Sequence, residues 1–178
     1  MEVWDDSRIV YDGTVVRLRV GNVRLDNGAL AHREVVEHPG GVCVVPFTGH
    51  SVLLVRQYRV AVSEYVLEVP AGKLEGHEDP LYRGACELEE ETGYRAGRME
   101  YIGCYYMAIG FCSERVHIYL AFELTHHGQQ LEEEERIELV EVSLEEVRRS
   151  LKEHRFTDGK TVIGLQALLD HLDSSRAG

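Results

Sequence analysis

The stretch that most limits what this chain can become runs from residue 72 to residue 94, GKLEGHEDPLYRGACELEEETGY. Gly72 and Gly76 permit tight turns and close backbone approach, and the residues after Pro80 carry a helical period. On a 3.6-residue projection Leu81, Ala85, Leu88 and Thr92 share one face, while Arg83, Glu87, Glu90 and Glu91 gather opposite. The expectation is a short helix that packs on the first face and presents carboxylates on the second. Glu87 repels Glu91 at i,i+4 and Glu90 at i,i+3, by about 0.2–0.5 kcal/mol per pair. The cluster also sits in the C-terminal half of the helix, where the macrodipole disfavours anions. Carboxylates that oppose both local rules imply a cation as their partner. Oxygen donors alone suit a hard ion such as Mg²⁺ or Mn²⁺, which joins protein carboxylates to substrate phosphates. A glutamate run by itself is more often a solvated face; the glycine-punctuated loop in front favours the metal.

Around this stretch the pattern is of strands. Residues 8–38 hold the β-branched segments RIVY, TVVRLRV and ALAHREVVEH, separated by Asp12-Gly13 and Asp26-Asn27-Gly28, and Asn27-Gly28 is a hairpin signal. The apolar run GVCVVPF predicts a strand covered on both faces, and residues 51–60 repeat the pattern after Gly49. Residues 101–109 and 115–124 also read as strands, with a short one in IELVEV. Ser143-Leu144-Glu145-Glu146 is a capping box that starts a helix. A second helix follows Gly159, with Val162, Leu165, Leu168, Leu169 and Leu172 at helical spacing. About nine short strands, one central helix and two terminal ones predict an α+β fold with α/β/α sandwich layering.

The 72–94 stretch resembles the signature of Nudix hydrolases: a glycine, five residues, a glutamate, seven residues, then Arg-Glu-aliphatic-x-Glu-Glu-x-Gly-apolar. Gly72, Glu78, Glu87, Leu88, Glu90, Glu91, Gly93 and Tyr94 match, and Cys86 stands where the family has arginine. Arg83 lies one turn before Glu87, so its guanidinium is the candidate substitute. The segments REVVEHPGGV, VRQYR and LEVPAGK resemble the ADP-ribose pyrophosphatase branch, which usually has proline where Ile109 stands. That resemblance implies the Nudix fold, a mixed sheet between helices with an N-terminal antiparallel β-hairpin extension. It implies a single domain over 1–178: a β extension at 1–40 that serves dimerisation, a catalytic core at 41–173 and a loose tail at 174–178.

The same resemblance implies metal ligands at Ala71, through its carbonyl, and at Glu87, Glu90, Glu91 and Glu135. It implies a general base at Glu133, with Glu90 also in the catalytic set, and substrate contacts from Arg59 and Arg33. The reaction it implies is metal-dependent hydrolysis of a nucleoside diphosphate linked to another moiety, first of all ADP-ribose to AMP and ribose 5-phosphate. Hydrolysis of another nucleotide sugar or an oxidised nucleotide, and a binding module that has lost turnover, are the rivals.

Charge narrows the partners. With 31 acidic and 19 basic residues the formal charge is -12, which opposes a nucleic-acid backbone or an anionic membrane as main partner. The acidic N-terminus is unlike a signal peptide, and no apolar run approaches spanning length. Four cysteines without CxxC spacing suit reduced thiols. A cytoplasmic homodimer is the expectation.

Overall fold

In the computed structural model, residues 1–131 and 136–176 are described. They fall into two compact units. The first comprises Met1–Gly40 with Tyr105–Arg115, and the second Gly41–Cys104 with the chain from Val116 onward.

In the first unit β1 (Glu2–Asp12), β2 (Arg17–Leu25) and β3 (Leu30–Glu37) form an antiparallel sheet in the order β1-β2-β3. β1 is longer than the RIVY segment that marks it in the sequence, since its pairing to β2 extends back to Glu2 opposite Leu25. The β2–β3 turn closes where Asn27-Gly28 predicts, with Gly28 N–H donating to the Leu25 carbonyl at 3.0 Å and Ala29 N–H to Asn27 Oδ1 at 3.0 Å.

The second unit contains β4 (Gly41–Pro46), β5 (Ser51–Arg59), β6 (Glu64–Glu68), β7 (Ala71–Lys73), helix α1 (Pro80–Thr92), β8 (Tyr94–Tyr106), β9 (Arg115–His126), β10 (Ile137–Ser143), α2 (Leu144–Lys152) and α3 (Gly159–Arg176), the last residues of β8 and the first of β9 reaching into the other unit. One sheet runs β7-β4-β9-β8 and another β10-β5-β6. β4 pairs antiparallel with β7 and parallel with β9, so the sheet is mixed as expected. Every residue of β4 is buried, which its unbroken apolar run predicts. Its alternate side chains meet different helices: Val42 and Val44 join Leu88 of α1 in one core cluster, whereas Val45, with Ile118 of β9, faces Gly164 of α3. This is the α/β/α layering of the sequence reading.

The bounds of two elements and one half of a capping box differ from expectation. The strand expected over 101–109 is β8, which begins at Tyr94 and ends at Tyr106, because Phe111 and Cys112 N–H groups turn back onto the Ala108 carbonyl at 3.1 and 2.9 Å. Ser143 caps α2 by accepting from Glu146 N–H at 3.2 Å, while the Glu146 carboxylate accepts from Ser150 and Arg155. α3 continues through residues 174–176, into the expected tail, with Ser174 and Ser175 hydroxyls donating to carbonyls four residues back. All four cysteines are free; Cys43 is buried, and desolvation pushes its thiol up to about 12.

Candidate active site

Local chemistry defines α1 at both ends. Asp79 Oδ1 accepts from Leu81 N–H at 3.0 Å, and Pro80 occupies the first helical turn, where its missing N–H is not needed. Gly93 takes the left-handed φ of 77° and closes its N–H on the Glu89 carbonyl at 2.8 Å. Ahead of the helix, Glu78 Oε2 accepts from Glu75 N–H at 3.3 Å, so the signature glutamate braces the loop.

The projection places Leu88 and Thr92 rightly, both buried, but misplaces other residues of α1. Leu81, expected to pack, is 43% exposed, while Glu87 and Glu91, expected to face outward, are each 5% exposed. The reason is Gly84: a Cβ there would stand 3.0 Å from Val42 Cγ2 and 3.2 Å from Val44 Cγ2, so the helix meets the sheet along the line of Gly84 and Leu88. That line carries Glu87 and Glu91 inward with it.

Two backbone features receive them. A Cβ on Gly72 would fall 1.4 Å from Glu87 Oε1, so only glycine leaves room for this carboxylate. Ala71 N–H donates to Glu91 Oε2 at 3.0 Å. Arg83 then reaches both remaining relations of the cluster: its Nη2 lies 2.5 Å from Glu87 Oε1 and 3.4 Å from Glu90 Oε2. Burial pulls the Arg83 pKa down, but the Glu87 and Glu90 charges outweigh it and the net shift is upward. Cys86, at the position of the family's arginine, instead neighbours Tyr82 and raises that phenol's pKa.

A second buried charge network lies in the same unit. Arg59 closes a two-point contact on Glu68, Nε to Oε1 at 2.6 Å and Nη2 to Oε2 at 3.0 Å. Lys160 Nζ lies 2.5 Å from Glu68 Oε2 and 3.0 Å from Asp158 Oδ2. Asp158 in turn accepts from Thr161 N–H at 3.0 Å, and the Thr161 hydroxyl accepts from Val69 N–H at 2.9 Å. Burial raises the Glu68 pKa, but the Arg59 and Lys160 contacts outweigh it and hold the carboxyl below the ordinary glutamate range. For Lys160, burial lowers the pKa while Asp158 and Glu68 raise it, with a net upward result. The charge of Glu91 also acts on Arg59, so the two networks are electrostatically linked.

Among the expected site residues, Ala71, Glu87, Glu90 and Glu91 come together on β7 and α1, with Arg59 beside Glu68. Arg33 belongs to the first unit, where Glu2 engages its guanidinium, Nε to Oε2 at 2.9 Å and Nη2 to Oε1 at 2.5 Å. Glu133 and Glu135 lie outside the described residues. Both flanks of that segment are tied to the site's elements. Gln129 Nε2 donates to the Glu91 carbonyl at 2.5 Å and Gln130 N–H to the Glu90 carbonyl at 3.0 Å, while Ile137 pairs with Gln57, two residues before Arg59. No sequence motif marks Glu68, Lys160 or Gly84 as part of this arrangement. A glutamate inside the apolar run YVLEV and a lysine just after the Thr157-Asp158-Gly159 start of α3 were the available signals.

Whether this arrangement suits a metal turns on its donors. The side-chain donors are oxygens throughout, supplied by three α1 carboxylates, with Gly72 keeping a side chain out of the way and the Ala71 N–H holding Glu91. Among the described residues no group of three or more His, Cys, Asp or Glu is preassembled as a cage. Ions with few protein ligands and several waters match such an open set better than a closed structural site does.

The NUDIX domain model matches residues 37–163. The chain is 41% identical over 162 residues to a methanol dehydrogenase activator of Bacillus methanolicus, covering 89% of this chain and 88% of that one. It is 39% identical over 162 residues to an ADP-ribose pyrophosphatase of Bacillus subtilis (strain 168), with the same coverage. Among solved structures, one described as an ADP compounds hydrolase aligns with a TM-score of 0.86 at 21% identity, covering 98% of this chain and 95% of the other.

Proposed function

This chain belongs to the Nudix family of pyrophosphohydrolases, and on that footing we propose that its substrate is ADP-ribose, cleaved by water to AMP and ribose 5-phosphate. The observation that carries the proposal is the burial of Glu87 and Glu91 against Gly72 and Ala71, with Glu91 within electrostatic reach of the Arg59 guanidinium. The relative from Bacillus subtilis supports ADP-ribose as the substrate.

Glu87, Glu90, Glu91 and the Ala71 carbonyl would hold divalent metal, Mg²⁺ or Mn²⁺, with Glu135 as a further ligand. Bound metal would neutralise diphosphate oxygens and acidify a water. The chain's own residues do the rest. Arg83 fixes the Glu87 and Glu90 carboxylates in the absence of an arginine at position 86. Arg59 spends its Nε–Nη2 edge on Glu68, which leaves the Nη1 side of the guanidinium for diphosphate oxygens. Glu133 takes the proton from the attacking water as general base; Gln130 and Ile137 support this role by bringing the ends of its segment to α1 and β5. Arg33, a substrate contact by the family resemblance, is engaged by Glu2 within its own unit.

The same reading includes a cytoplasmic homodimer built on the β1–β3 sheet. Val3, Val10, Tyr11, Val15 and Leu30, all about half exposed or more, offer apolar area there. No helix of the described residues is long and apolar enough to cross a membrane.

AMP release from ADP-ribose, measured with Mg²⁺ and again with EDTA, tests the reaction. Turnover that EDTA abolishes is the expected result. Cleavage of another nucleotide sugar with ADP-ribose untouched would overturn the substrate. Tight binding of ADP-ribose without turnover would instead favour the binding-module reading that Cys86 raises.

A further inference from the structure

We infer that Lys160, at the start of α3, is a positioning residue that acts through Glu68 to hold the Arg59 guanidinium in its diphosphate-binding orientation. The inference rests on the proposed function for what Arg59 contacts, but the positioning itself stands on geometry alone. Glu68 is 3% exposed, and its carboxylate is divided between two cations: Oε1 goes to Arg59, and Oε2 is shared by Arg59 and Lys160.

A glutamate with one arginine partner can pivot about that partner. A second cation, anchored from another element, removes the freedom. Lys160 is well anchored, because its side chain is 15% exposed and Asp158 holds its other side at 3.0 Å. Asp158 is itself tied to the first turn of α3 through Thr161 N–H, and Thr161 ties that turn to Val69, the residue after Glu68. The chain of contacts therefore runs from the helix end through Lys160 and the buried Glu68 to the guanidinium of Arg59, whose side chain is 43% exposed. Lys160 has a second effect. Without it the full charge of Glu68 would fall on Arg59, and the guanidinium would offer a diphosphate a weaker field.

Two measurements test this. In ¹H–¹⁵N spectra, the Arg59 Nε–H of the wild-type protein should give a distinct, slowly exchanging signal, assigned by its loss in Arg59→Ala. In Lys160→Gln that signal should shift and exchange faster, and in Lys160→Arg it should be largely restored. An unchanged Arg59 Nε–H in Lys160→Gln would overturn the inference, whatever the substrate is. The second measurement is a double-mutant cycle on ADP-ribose turnover with Mg²⁺. Lys160→Gln should raise KM about tenfold or more with little change in kcat, the mark of a lost binding contact. In the Arg59→Ala background the same change should have almost no further effect on KM. Additive losses in the cycle would mean that Lys160 acts on the fold and not through Arg59, and would also overturn the inference. A wild type that leaves ADP-ribose intact would count against the substrate alone, with the spectra still deciding the positioning.

Discussion

Glu68 and the pair Glu87 and Glu91 are hidden from water to nearly the same degree, at 3% and 5% exposure, and they lie in one compact unit. Their surroundings differ in kind. Glu68 is one carboxylate held between Arg59 and Lys160. On α1, one guanidinium, Arg83, spans Glu87 and Glu90, and a backbone N–H of β7 donates to Glu91. The first arrangement is closed: each charge has a counter-charge on a different element, which suits a device for keeping a side chain still. The second gathers like charges on adjacent turns and keeps them near each other by packing, which suits a site that receives cations. Burial of a carboxylate thus means opposite things in the two places, and the counter-charges decide which.

The largest effects should come from the open cluster. Glu91→Gln is expected to lower kcat by about 1,000-fold, the rate equivalent of roughly 4 kcal/mol of lost charge stabilisation, with the melting temperature nearly unchanged. Gly72→Ala should be as damaging, since its methyl group would occupy the place of the Glu87 carboxylate. Steady-state kinetics with Mg²⁺ reads both, and full activity in either variant would break the distinction between the two regions.

Next comes Arg83→Ala, expected to weaken metal-dependent activation by about 10–100-fold, the usual range for a residue that orients ligands. A Mg²⁺ titration of turnover measures it. Cys86→Arg should leave the rate unchanged, because Arg83 already reaches Glu87 and Glu90. A large gain in Cys86→Arg would show that Arg83 does not fill the role.

The closed network should appear as pH dependence of stability. Glu68 is held below its ordinary value of 4.5 in the folded state, so its contribution is complete above that value and is lost as pH falls through the lowered one. Lys160 is held above its ordinary 10.5, so its contribution is complete below that value and is lost as pH rises through the raised one. Thermal unfolding of Glu68→Gln should therefore show a shallower acid limb than the wild type. Equal limbs would mean that Glu68 is not the group that couples. The smallest effect should be that of Arg33→Ala, a change of a fewfold in KM, given that Glu2 already occupies its guanidinium.

Local signals carried much of this molecule. Ser143 marks the start of α2, Asn27-Gly28 marks a hairpin, and the unbroken run of β4 announces cover on both faces. Each depends on neighbours in the chain, so each is written in the order of residues. Most of the acidic cluster was legible for the same reason, as was the reach of Arg83 to Glu87. The direction in which the cluster faces was not. A helical projection knows only the angle between side chains, and apolar Leu81 outweighed small Gly84 in setting the packed face.

What the sequence determined by itself was the set of elements and the chemistry placed on them, because caps, turns and periodicity act over a few residues. Only the tertiary structure decided which carboxylates go inward and which cations meet them. Glu68 and Lys160 stand 92 positions apart, and Gly72 makes room for Glu87 only once β7 lies against α1. Contacts of that range exist after the layers have packed and leave no local trace in the order of the residues.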